Sequence, residues 1–412
     1  MAKGMTPENW EALRTEVYGS FSPGSPIKLQ SDLAGREEQA ARLRGIALSS
    51  GEHALIYGER GAGKTSIANT FHLSLNTNTR RVDFIHVNCG NNDFTAIWRK
   101  VFRRMRVQDD EQRRSLDQFY PGEITPDDVE IELANLNIND LPIIVLDEFD
   151  QVKDDRTKAM ITETIKSLSD HTVHAKIVLV GIAGNASELI VHHGSISRAL
   201  KQVQMLRLSL GDLEAIVFTR YRKCLLKCDD AALFQMAFLS RGLPYYTHLI
   251  GRHAALAAID RRQVIVRDED VFTGLKEAIK EVDQTITENY LKAVVSQRPE
   301  ETLYEPVLIA SALADADDLG QFQQAAVGAP LAEIAPRTPP YGPTTYAFHM
   351  NEFCESKRGK ILYRTGEART YRYHFADAMM QPYVIIRALQ NGKLKRSTFD
   401  KFTARRQRAL SI

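Results

Sequence analysis

The stretch GERGAGKT at residues 58–65 has the residue types and spacing of a loop that binds phosphate. It fits the pattern G-x-x-x-x-G-K-[ST] without a gap. Glycines let backbone N–H groups close around phosphate oxygens, and the N-terminus of a following helix adds partial positive charge. We expect Lys64 to reach the β- and γ-phosphates and the Thr65 hydroxyl to bind Mg²⁺. The residues predicted to contact a nucleoside triphosphate here are Gly58, Glu59, Arg60, Gly61, Ala62, Gly63, Lys64, Thr65 and Ser66.

An apolar run that ends in acid supplies the second half of such a site. The stretch PIIVLDEFDQV predicts a buried strand with Asp147 at its tip and Glu148 beside it. We expect Asp147 to hold Mg²⁺ through water and Glu148 to act as general base for an attacking water. Adjacent carboxylates favour hydrolysis over transfer to a small acceptor. The alternative is that the glycine-rich stretch is a chance turn and the two acids belong to a solvated loop.

Apolar runs bounded by turns predict the strands that position these residues. They are HALIYG (53–58), VDFIHVNC (82–89), PIIVLD (142–147), KIVLVG (176–181) and VQMLRL (203–208). Helical patterns lie between them, so the predicted fold class is α/β, a parallel sheet with helices on both faces. From about 107 to 140 the chain is acidic and irregular, which indicates an exposed excursion. Strand signals stop after 210, and helical patterns continue to 295.

The last hundred residues combine helical patterns with a basic hairpin. The stretch GKILYRTGEARTYRYHF has strand-like runs on either side of Gly366. Helices followed by a basic hairpin are the order of a winged helix, in which a helix enters the major groove and the wing lies along phosphates. The predicted DNA contacts are Lys360, Arg364, Arg369 and Arg372. The basic tail after residue 390 is expected to be a disordered arm that reaches nucleic acid or a solubilising end.

Composition excludes several classes of protein. The 412 residues carry 53 basic and 52 acidic side chains, so nucleic-acid binding must rest on local basic patches. No apolar run approaches the roughly 20 residues of a membrane span. The N-terminal stretch has no apolar centre, so we do not expect it to act as a signal peptide. Four scattered cysteines are typical of a reducing cytoplasm, which is the expected location.

These motifs resemble the AAA+ ATPases, in particular the Orc/Cdc initiator type of archaea and eukaryotes. The stretch LAGREEQAARLRGIALSSGEHALIYGERGAGKTS is similar to that family's adenine-side box and phosphate loop, which implies that Gly35 lies near the nucleotide. KIVLVGIAG resembles its fourth strand, whose end carries a polar sensor residue. Gly184 occupies the expected position, and Asn185 is the predicted sensor. Ser197-Arg198 stands where the family keeps an arginine that reaches the γ-phosphate of a neighbouring subunit.

The predicted lid departs from this family. In RGLPYYTHLIGRHAAL, Tyr245 stands where the AAA+ lid normally offers an arginine, and Arg252 is a substitute one helical stretch later. Gly242-Leu243-Pro244 instead resembles the G-x-P motif of STAND signalling ATPases. That resemblance implies that Pro244 packs near the nucleotide.

The resemblance implies a slow ATPase that binds ATP and Mg²⁺, self-associates across the ATP site and binds duplex DNA under ATP control. Other proteins are further candidate partners. The first alternative is a STAND-like signalling or defence ATPase whose winged helix controls protein–protein assembly. The second is a nucleotide-binding partner module that hydrolyses little ATP. The predicted parts are a lead-in (1–34), an ATPase core (35–210), a helical lid (211–297), a winged helix (303–395) and a basic tail (396–412).

Overall fold

A computed structural model of the protein describes residues 5–29, 32–75, 81–109, 112–137, 139–183, 186, 189, 196–296, 302–366 and 370–410. The helices are α1 (Pro7–Ser20), α2 (Glu37–Leu48), α3 (Lys64–Thr70), α4 (Phe94–Phe102), α5 (Pro126–Ala134), α6 (Asp155–Asp170), α7 (Ile196–Ala199), α8 (Leu210–Lys223), α9 (Asp230–Ser240), α10 (Pro244–Asp260), α11 (Asp268–Ala278), α12 (Gln284–Val294), α13 (Tyr304–Leu313), α14 (Gly328–Ile334), α15 (Pro343–Glu352), α16 (Met380–Gln390) and α17 (Arg396–Leu410). The strands are β1 (His53–Gly58), β2 (Arg81–Asn88), β3 (Arg106–Asp109), β4 (Gln112–Ser115), β5 (Asp140–Asp147), β6 (Lys176–Ile182), β7 (Leu200–Met205), β8 (Lys227–Cys228), β9 (Ile265–Val266), β10 (Phe322–Gln323), β11 (Leu362–Thr365) and β12 (Arg372–Phe375).

The chain forms two compact units. The core unit comprises Pro26–Glu59 and Gly63–Met205, and the helical unit comprises Met1–Ser25, Arg60–Ala62 and Leu206–Ile412. Arg60, Gly61 and Ala62 of the predicted phosphate loop therefore belong to the helical unit. The boundary expected near residue 300, between lid and winged helix, stays a prediction.

The core unit is built on a five-stranded parallel sheet in the order β2-β5-β6-β1-β7. Every residue of β1 is buried, and so are seven of the eight residues of β5, which explains why these strands are continuous apolar runs. The α/β fold class predicted from the sequence is confirmed. The predicted and observed bounds differ most for the last strand of this sheet. VQMLRL was predicted over 203–208, and β7 begins and ends three residues earlier.

The segment from 107 to 140 is more ordered than its composition suggests. It contains an antiparallel hairpin, β3 and β4, followed by α5. Helix α5 begins with a capping box: the Thr125 hydroxyl accepts a hydrogen bond from the Asp128 N–H, and the Asp128 carboxylate accepts one from the Thr125 N–H. Proline follows the cap at the first helical position. These local signals outweigh the acidic composition on which the irregular assignment rested.

The helical unit has its own apolar core, which extends to the N-terminal helix. Trp10, Val17 and Phe21 are buried in it, and the Phe21 ring meets the Tyr221 ring edge-on at 5.4 Å. Two strands of two residues each, β8 and β9, pair in parallel. Strands this short leave no periodic signal in a sequence, so the expectation of helices alone after 210 is incomplete.

The C-terminal part follows the order α13, β10, α14, α15, β11, β12. The three strands form an antiparallel sheet in the order β10-β12-β11. Helix, strand, helix, helix, strand, strand is the succession expected of a winged helix, with β11 and β12 as the wing. Helices α16 and α17 follow it.

The basic tail is a helix, which corrects the expectation of a disordered arm. Phe399 on α17 is fully buried. Its ring lies edge-on to Phe238 at 5.6 Å and to Phe272 at 5.9 Å. The Arg396 guanidinium is ion-paired with Asp268. Burial of one aromatic ring among others fixes the helix against the unit, although its composition is mostly polar.

Gly242 lets the backbone approach the side chain of Arg207 within the helical unit. Its φ is +84°, and a Cβ at this position would lie 2.6 Å from the Arg207 Cβ. The Arg207 guanidinium donates to the Arg241 carbonyl at 3.3 Å and to the Gln381 side-chain oxygen at 2.5 Å. The glycine of the G-x-P motif is therefore required by packing.

Among the described helices, none is long and apolar enough to span a bilayer.

We predict that Gly242→Ala destabilises the protein more than Gly392→Ala does. Both glycines have positive φ, but no atom lies within 4 Å of a Cβ built at Gly392. Each alanine incurs the left-handed strain of about 1–2 kcal/mol. Gly242→Ala should lose a further ~1–3 kcal/mol through overpacking. Free energies of unfolding from denaturant titration measure the difference, and equal losses for the two variants would contradict the packing argument.

We predict that the protein loses stability as the pH drops, because His53 is wholly buried in β1. Burial first, and then the nearby charge of Lys176, lower the pKa of His53 from 6.5 to about 3. Its Nδ1 accepts a hydrogen bond from the Ile177 N–H at 3.0 Å, so the neutral ring fits the fold. Because the folded-state pKa is depressed, the stability is fully present above pH 6.5 and is lost as the pH falls towards 3.

We expect this residue to account for a loss of about 2 kcal/mol between pH 8 and pH 5. His53→Asn keeps an acceptor near the Nδ1 position and does not titrate. Its unfolding free energy should therefore depend less steeply on pH than that of the wild type. Parallel pH profiles for the two proteins would refute the assignment.

Candidate functional site

The predicted phosphate loop lies between β1 and α3, as its motif requires. Helix α3 begins at Lys64, so the first N–H groups of that helix point into the loop. Lys64 is buried, with only 8% of the residue exposed to solvent. Its amine donates to the carbonyl oxygens of Gly58 at 3.1 Å and Glu59 at 2.7 Å. The amine is thus held inside the loop, where a phosphate oxygen can replace a carbonyl as its partner.

Other loop residues face differing surroundings. Ala62 is buried, whereas Gly63 is half-buried and a Cβ built on it meets no atom within 4 Å. The Ser66 hydroxyl accepts a hydrogen bond from the Ile27 N–H at 3.1 Å, which ties α3 to the preceding segment. Gly35 is half-buried with φ +66° and lies two residues before α2.

The predicted metal ligands come together within the core unit. Asp147 ends β5 and is 6% exposed. Its Oδ1 accepts a hydrogen bond from the Glu148 N–H at 2.8 Å, and its carboxylate also pairs with the Thr65 side chain. Burial alone would raise the pKa of Asp147, but hydrogen bonds from His86, the Glu148 N–H and Thr65 outweigh it and lower the pKa. The carboxyl is therefore ionised at neutral pH.

This donor set fits Mg²⁺. A hydroxyl and a carboxylate are hard oxygen ligands, and Mg²⁺ commonly takes one or two such groups from the protein and the rest from phosphates and water. Over the residues that the structure describes, no cluster of three or more His, Cys, Asp or Glu side chains could hold a metal by itself. A metal here would thus depend on the phosphates of a nucleotide as well as on Thr65 and Asp147.

Glu148 and Arg198 are both accessible to solvent. Glu148 follows β5, is exposed, and has φ +54°, which is a left-handed conformation. Such strain in a residue other than glycine is typical of functional sites. Arg198 is exposed on the short helix α7. The predicted sensor, Asn185, lies outside the described residues.

His86 was missed by reasoning from the sequence. It lies on β2, the strand beside β5, and its Nε2 is 3.2 Å from Oδ2 of Asp147. The available signal was a polar residue near the end of an apolar strand. Which carboxylate it would meet depends on β2 pairing with β5, and that order of strands is not visible in the motif.

Arg60, at the tip of the phosphate loop, is bound by two distant carboxylates within the helical unit. Its guanidinium lies 3.0 Å from Oδ2 of Asp283 and 3.3 Å from Oδ2 of Asp377. The hydrogen bond from Arg60 is the largest cause that lowers the pKa of Asp283. The side chain of Arg60 is 46% exposed, so these ion pairs are partly screened by solvent.

Gly61 is covered by the segment before α16. A Cβ at Gly61 would lie 2.8 Å from the Met379 sulfur and 3.6 Å from the Tyr245 Cβ. The Met379 carbonyl in turn accepts a hydrogen bond from the buried Tyr246 hydroxyl at 2.8 Å. A cavity of about 160 Å³ within the helical unit is lined by Arg60, Gly61, Tyr245, Asp283, Ile286 and Met379.

The residues predicted for the lid take defined places in the helical unit. Pro244 is the first residue of α10, and the preceding Leu243 is buried. Arg252 is ion-paired with Glu281 and lies 5.8 Å from the centre of the Tyr18 ring. The guanidinium of Arg252 thus already has a carboxylate partner in the helical unit.

Three basic residues of the predicted wing contact other side chains of the C-terminal part. Arg372 is ion-paired with Asp317 at 2.8 Å. Arg364 donates to the Asn351 side chain at 2.9 Å and stacks on Tyr371 at 4.3 Å. The Lys360 amine lies 5.1 Å from the centre of the Tyr363 ring. Arg369, the fourth predicted DNA contact, lies outside the described residues.

Comparisons with known proteins agree with this geometry. Residues 47–190 match the model of the AAA domain family, and no curated protein matches the chain in sequence. The Aeropyrum pernix ORC2 protein, solved as ADPNP–ADP complexes, is 13% identical with a TM-score of 0.50, covering 95% of this chain and 98% of that one. The Walker-type ATPase PABY2304 of Pyrococcus abyssi is 14% identical with a TM-score of 0.50, covering 88% and 99%.

A third similar structure is the Aeropyrum pernix ORC1 protein in complex with DNA, 17% identical with a TM-score of 0.47, covering 87% of this chain and 93% of that one. The family match covers the phosphate loop, Asp147 and the strands that carry them. Residues 47–190 are therefore similar to the AAA domain family, and the fold of the chain resembles that of the Aeropyrum pernix ORC2 protein.

Proposed function

We propose that the protein is a slow ATP-binding and ATP-hydrolysing switch that couples its nucleotide state to self-association and to the binding of duplex DNA. The observation that carries the nucleotide site is the pairing of Thr65 with a buried, ionised Asp147 beside a lysine held inside the phosphate loop. In this proposal two adjacent pairs, Lys64-Thr65 and Asp147-Glu148, bind the phosphates and Mg²⁺ and support hydrolysis.

Hydrolysis needs a base next to the metal ligand. Glu148 is exposed and directly follows Asp147, so its carboxylate can accept a proton from water while Asp147 stays ionised. Lys64 orients the β- and γ-phosphates, and the N–H groups at the start of α3 stabilise their charge. Mg²⁺, when bound with ATP, neutralises part of the phosphate charge.

We predict that one substitution weakens the binding of ATP and that another slows its hydrolysis. Lys64→Ala removes the amine that contacts phosphate, so ATP affinity should fall at least about tenfold, which corresponds to one lost charge-assisted hydrogen bond. Glu148→Gln keeps ATP affinity but should slow phosphate release by about 100-fold or more. Titration with a fluorescent ATP analogue and a phosphate-release assay measure the two effects. Wild-type turnover by Glu148→Gln would show that another group is the base.

The proposed coupling between the bound nucleotide and the C-terminal part is supported by contacts at the tip of the phosphate loop. Arg60 and Gly61 are continuous in the chain with Lys64, yet they contact Asp283 on the cap of α12 and the segment Asp377–Met379 before α16. Ion pairs this exposed are individually worth about 1 kcal/mol or less. A triphosphate that moves the loop can therefore release them, and the C-terminal segment responds to the nucleotide.

Self-association is supported by the position of Arg198. An exposed guanidinium on α7 is available to a second copy of the chain, where it can stabilise the charge of a bound γ-phosphate. The role of Pro244 near the nucleotide and that of Asn185 as sensor remain part of this proposal.

A STAND-like output, protein–protein assembly in place of DNA binding, is favoured by the wing itself. Arg364 and Arg372 have partners in the C-terminal part, which DNA phosphates would have to replace. The coverage of Gly61 by Met379 also fits a C-terminal part that acts on the nucleotide loop. DNA binding is supported by the winged-helix order of elements and by the basic character of the hairpin and of α17.

We predict that Asp377→Asn weakens the coupling between nucleotide and DNA. In the wild type, affinity for a random duplex should differ about fivefold or more between ATP and ADP, as measured by electrophoretic shift at about 50 mM and about 200 mM salt. Removing the charge of Asp377 loosens its contact with Arg60 and should shrink that difference. Asp268→Asn is the matched control, because it breaks an ion pair with Arg396 that is remote from the loop in sequence.

No shift at micromolar wild-type protein in low salt would remove the DNA output and leave the assembly output. Light scattering would then be used to compare the mass of the protein in ATP with its mass in ADP, as a measure of assembly. An Asp268→Asn protein that loses coupling as Asp377→Asn does would show that the effect is not specific to Arg60.

A further inference from the structure

The Asp147 carboxylate is oriented by neighbours on two sides. Oδ1 accepts the Glu148 N–H at 2.8 Å, and Oδ2 meets Nε2 of His86 at 3.2 Å. An aspartate carboxylate can rotate about its Cβ–Cγ bond unless both oxygens are held. The backbone N–H holds Oδ1, and His86 holds Oδ2.

The position of His86 suits a donor to Asp147. Residues Ile85 and Val87 are buried on the apolar side of β2, so His86 projects from the opposite face of this strand. Its side chain is 27% exposed, whereas that of Asp147 is 9% exposed. An ionised carboxylate only accepts hydrogen bonds, so Nε2 must carry the proton that joins the two groups.

Outer partners of a metal-binding carboxylate control its affinity for the metal. They fix the orientation of the ligand, and their loss typically lowers metal affinity about 10- to 100-fold. In the proposed nucleotide site, phosphate is bound by a separate set, the amine of Lys64 and backbone N–H groups. Loss of an outer partner should therefore affect the metal-dependent part of ATP binding and leave the metal-free part unchanged.

We propose that His86 is a positioning residue that holds the Asp147 carboxylate in the orientation required to bind the Mg²⁺ of the nucleotide. It contacts neither phosphate nor water nucleophile in this role. The inference rests on the proposed nucleotide site. A histidine that only stabilised the pairing of β2 with β5 would affect binding equally with and without metal.

Three variants test the role of the donor. In His86→Gln the amide nitrogen lies near the place of Nε2, so the donor is kept. In His86→Asn the amide is too short to reach Oδ2, and in His86→Ala it is absent. Affinity for a fluorescent ATP analogue is measured in EDTA and in Mg²⁺, and Mn²⁺ binding to each protein with a non-hydrolysable ATP analogue is measured by electron paramagnetic resonance.

We expect equal affinities for the analogue in EDTA across all four proteins. The gain in affinity from Mg²⁺ should fall about tenfold or more in His86→Ala and His86→Asn, with a matching loss of bound Mn²⁺. His86→Gln should stay near the wild type. Thermal unfolding of each variant monitors the fold, and if His86→Ala does not fold, the Gln and Asn pair decides the question.

Two results would overturn the inference. One is an undiminished Mg²⁺ gain in His86→Asn, and the other is an equal loss in His86→Gln and His86→Asn, which would show that donation from this position is irrelevant. A wild-type protein that fails to bind the analogue, or binds it without any gain from Mg²⁺, refutes the nucleotide site itself and is thereby distinguished from failure of His86.

Discussion

A carboxylate withdrawn from water must be hydrogen-bonded, and the geometry of the core unit depends on how Asp147 meets this requirement. Its partners are Thr65 from α3, His86 from β2 and the N–H of Glu148. An uncompensated charge at this depth would cost several kcal/mol. The need to satisfy it fixes the beginning of α3, the end of β5 and a side chain of β2 relative to one another, so the phosphate loop and the acid form one arrangement.

The parallel sheet is predictable because its strands are covered on both faces. That environment demands continuous apolar runs, and β1 and β5 display them clearly. Lys64 and Asp147 are found from the same runs, since each follows or ends one. His86 is not, because the neighbour of β2 is set by the topology of the whole sheet, and a histidine in a strand is equally compatible with many partners.

The helical unit was less predictable for a related reason. The partners of Arg60 are 223 and 317 residues away in the chain, and no local pattern couples an arginine to acids at such separations. Helix α17 depends on the single ring of Phe399, whose burial is decided by Phe238 and Phe272. In a tail rich in lysine and arginine, composition indicates disorder, whereas the burial of Phe399 and the ion pair of Arg396 with Asp268 hold α17 on the helical unit.

The contact between Met379 and Gly61 lies directly before helix α16, so a movement of one affects the other. It begins at the next residue, Met380, and is buried along most of its 11 residues, about 16 Å of length. A packed helix of this kind moves as a rigid body. Displacement of its first turn by an ångström or two would therefore be transmitted to Gln390, six residues before α17 begins. The helical unit thus contains a rigid helix with one end beside Gly61 and the other at the segment that leads into α17.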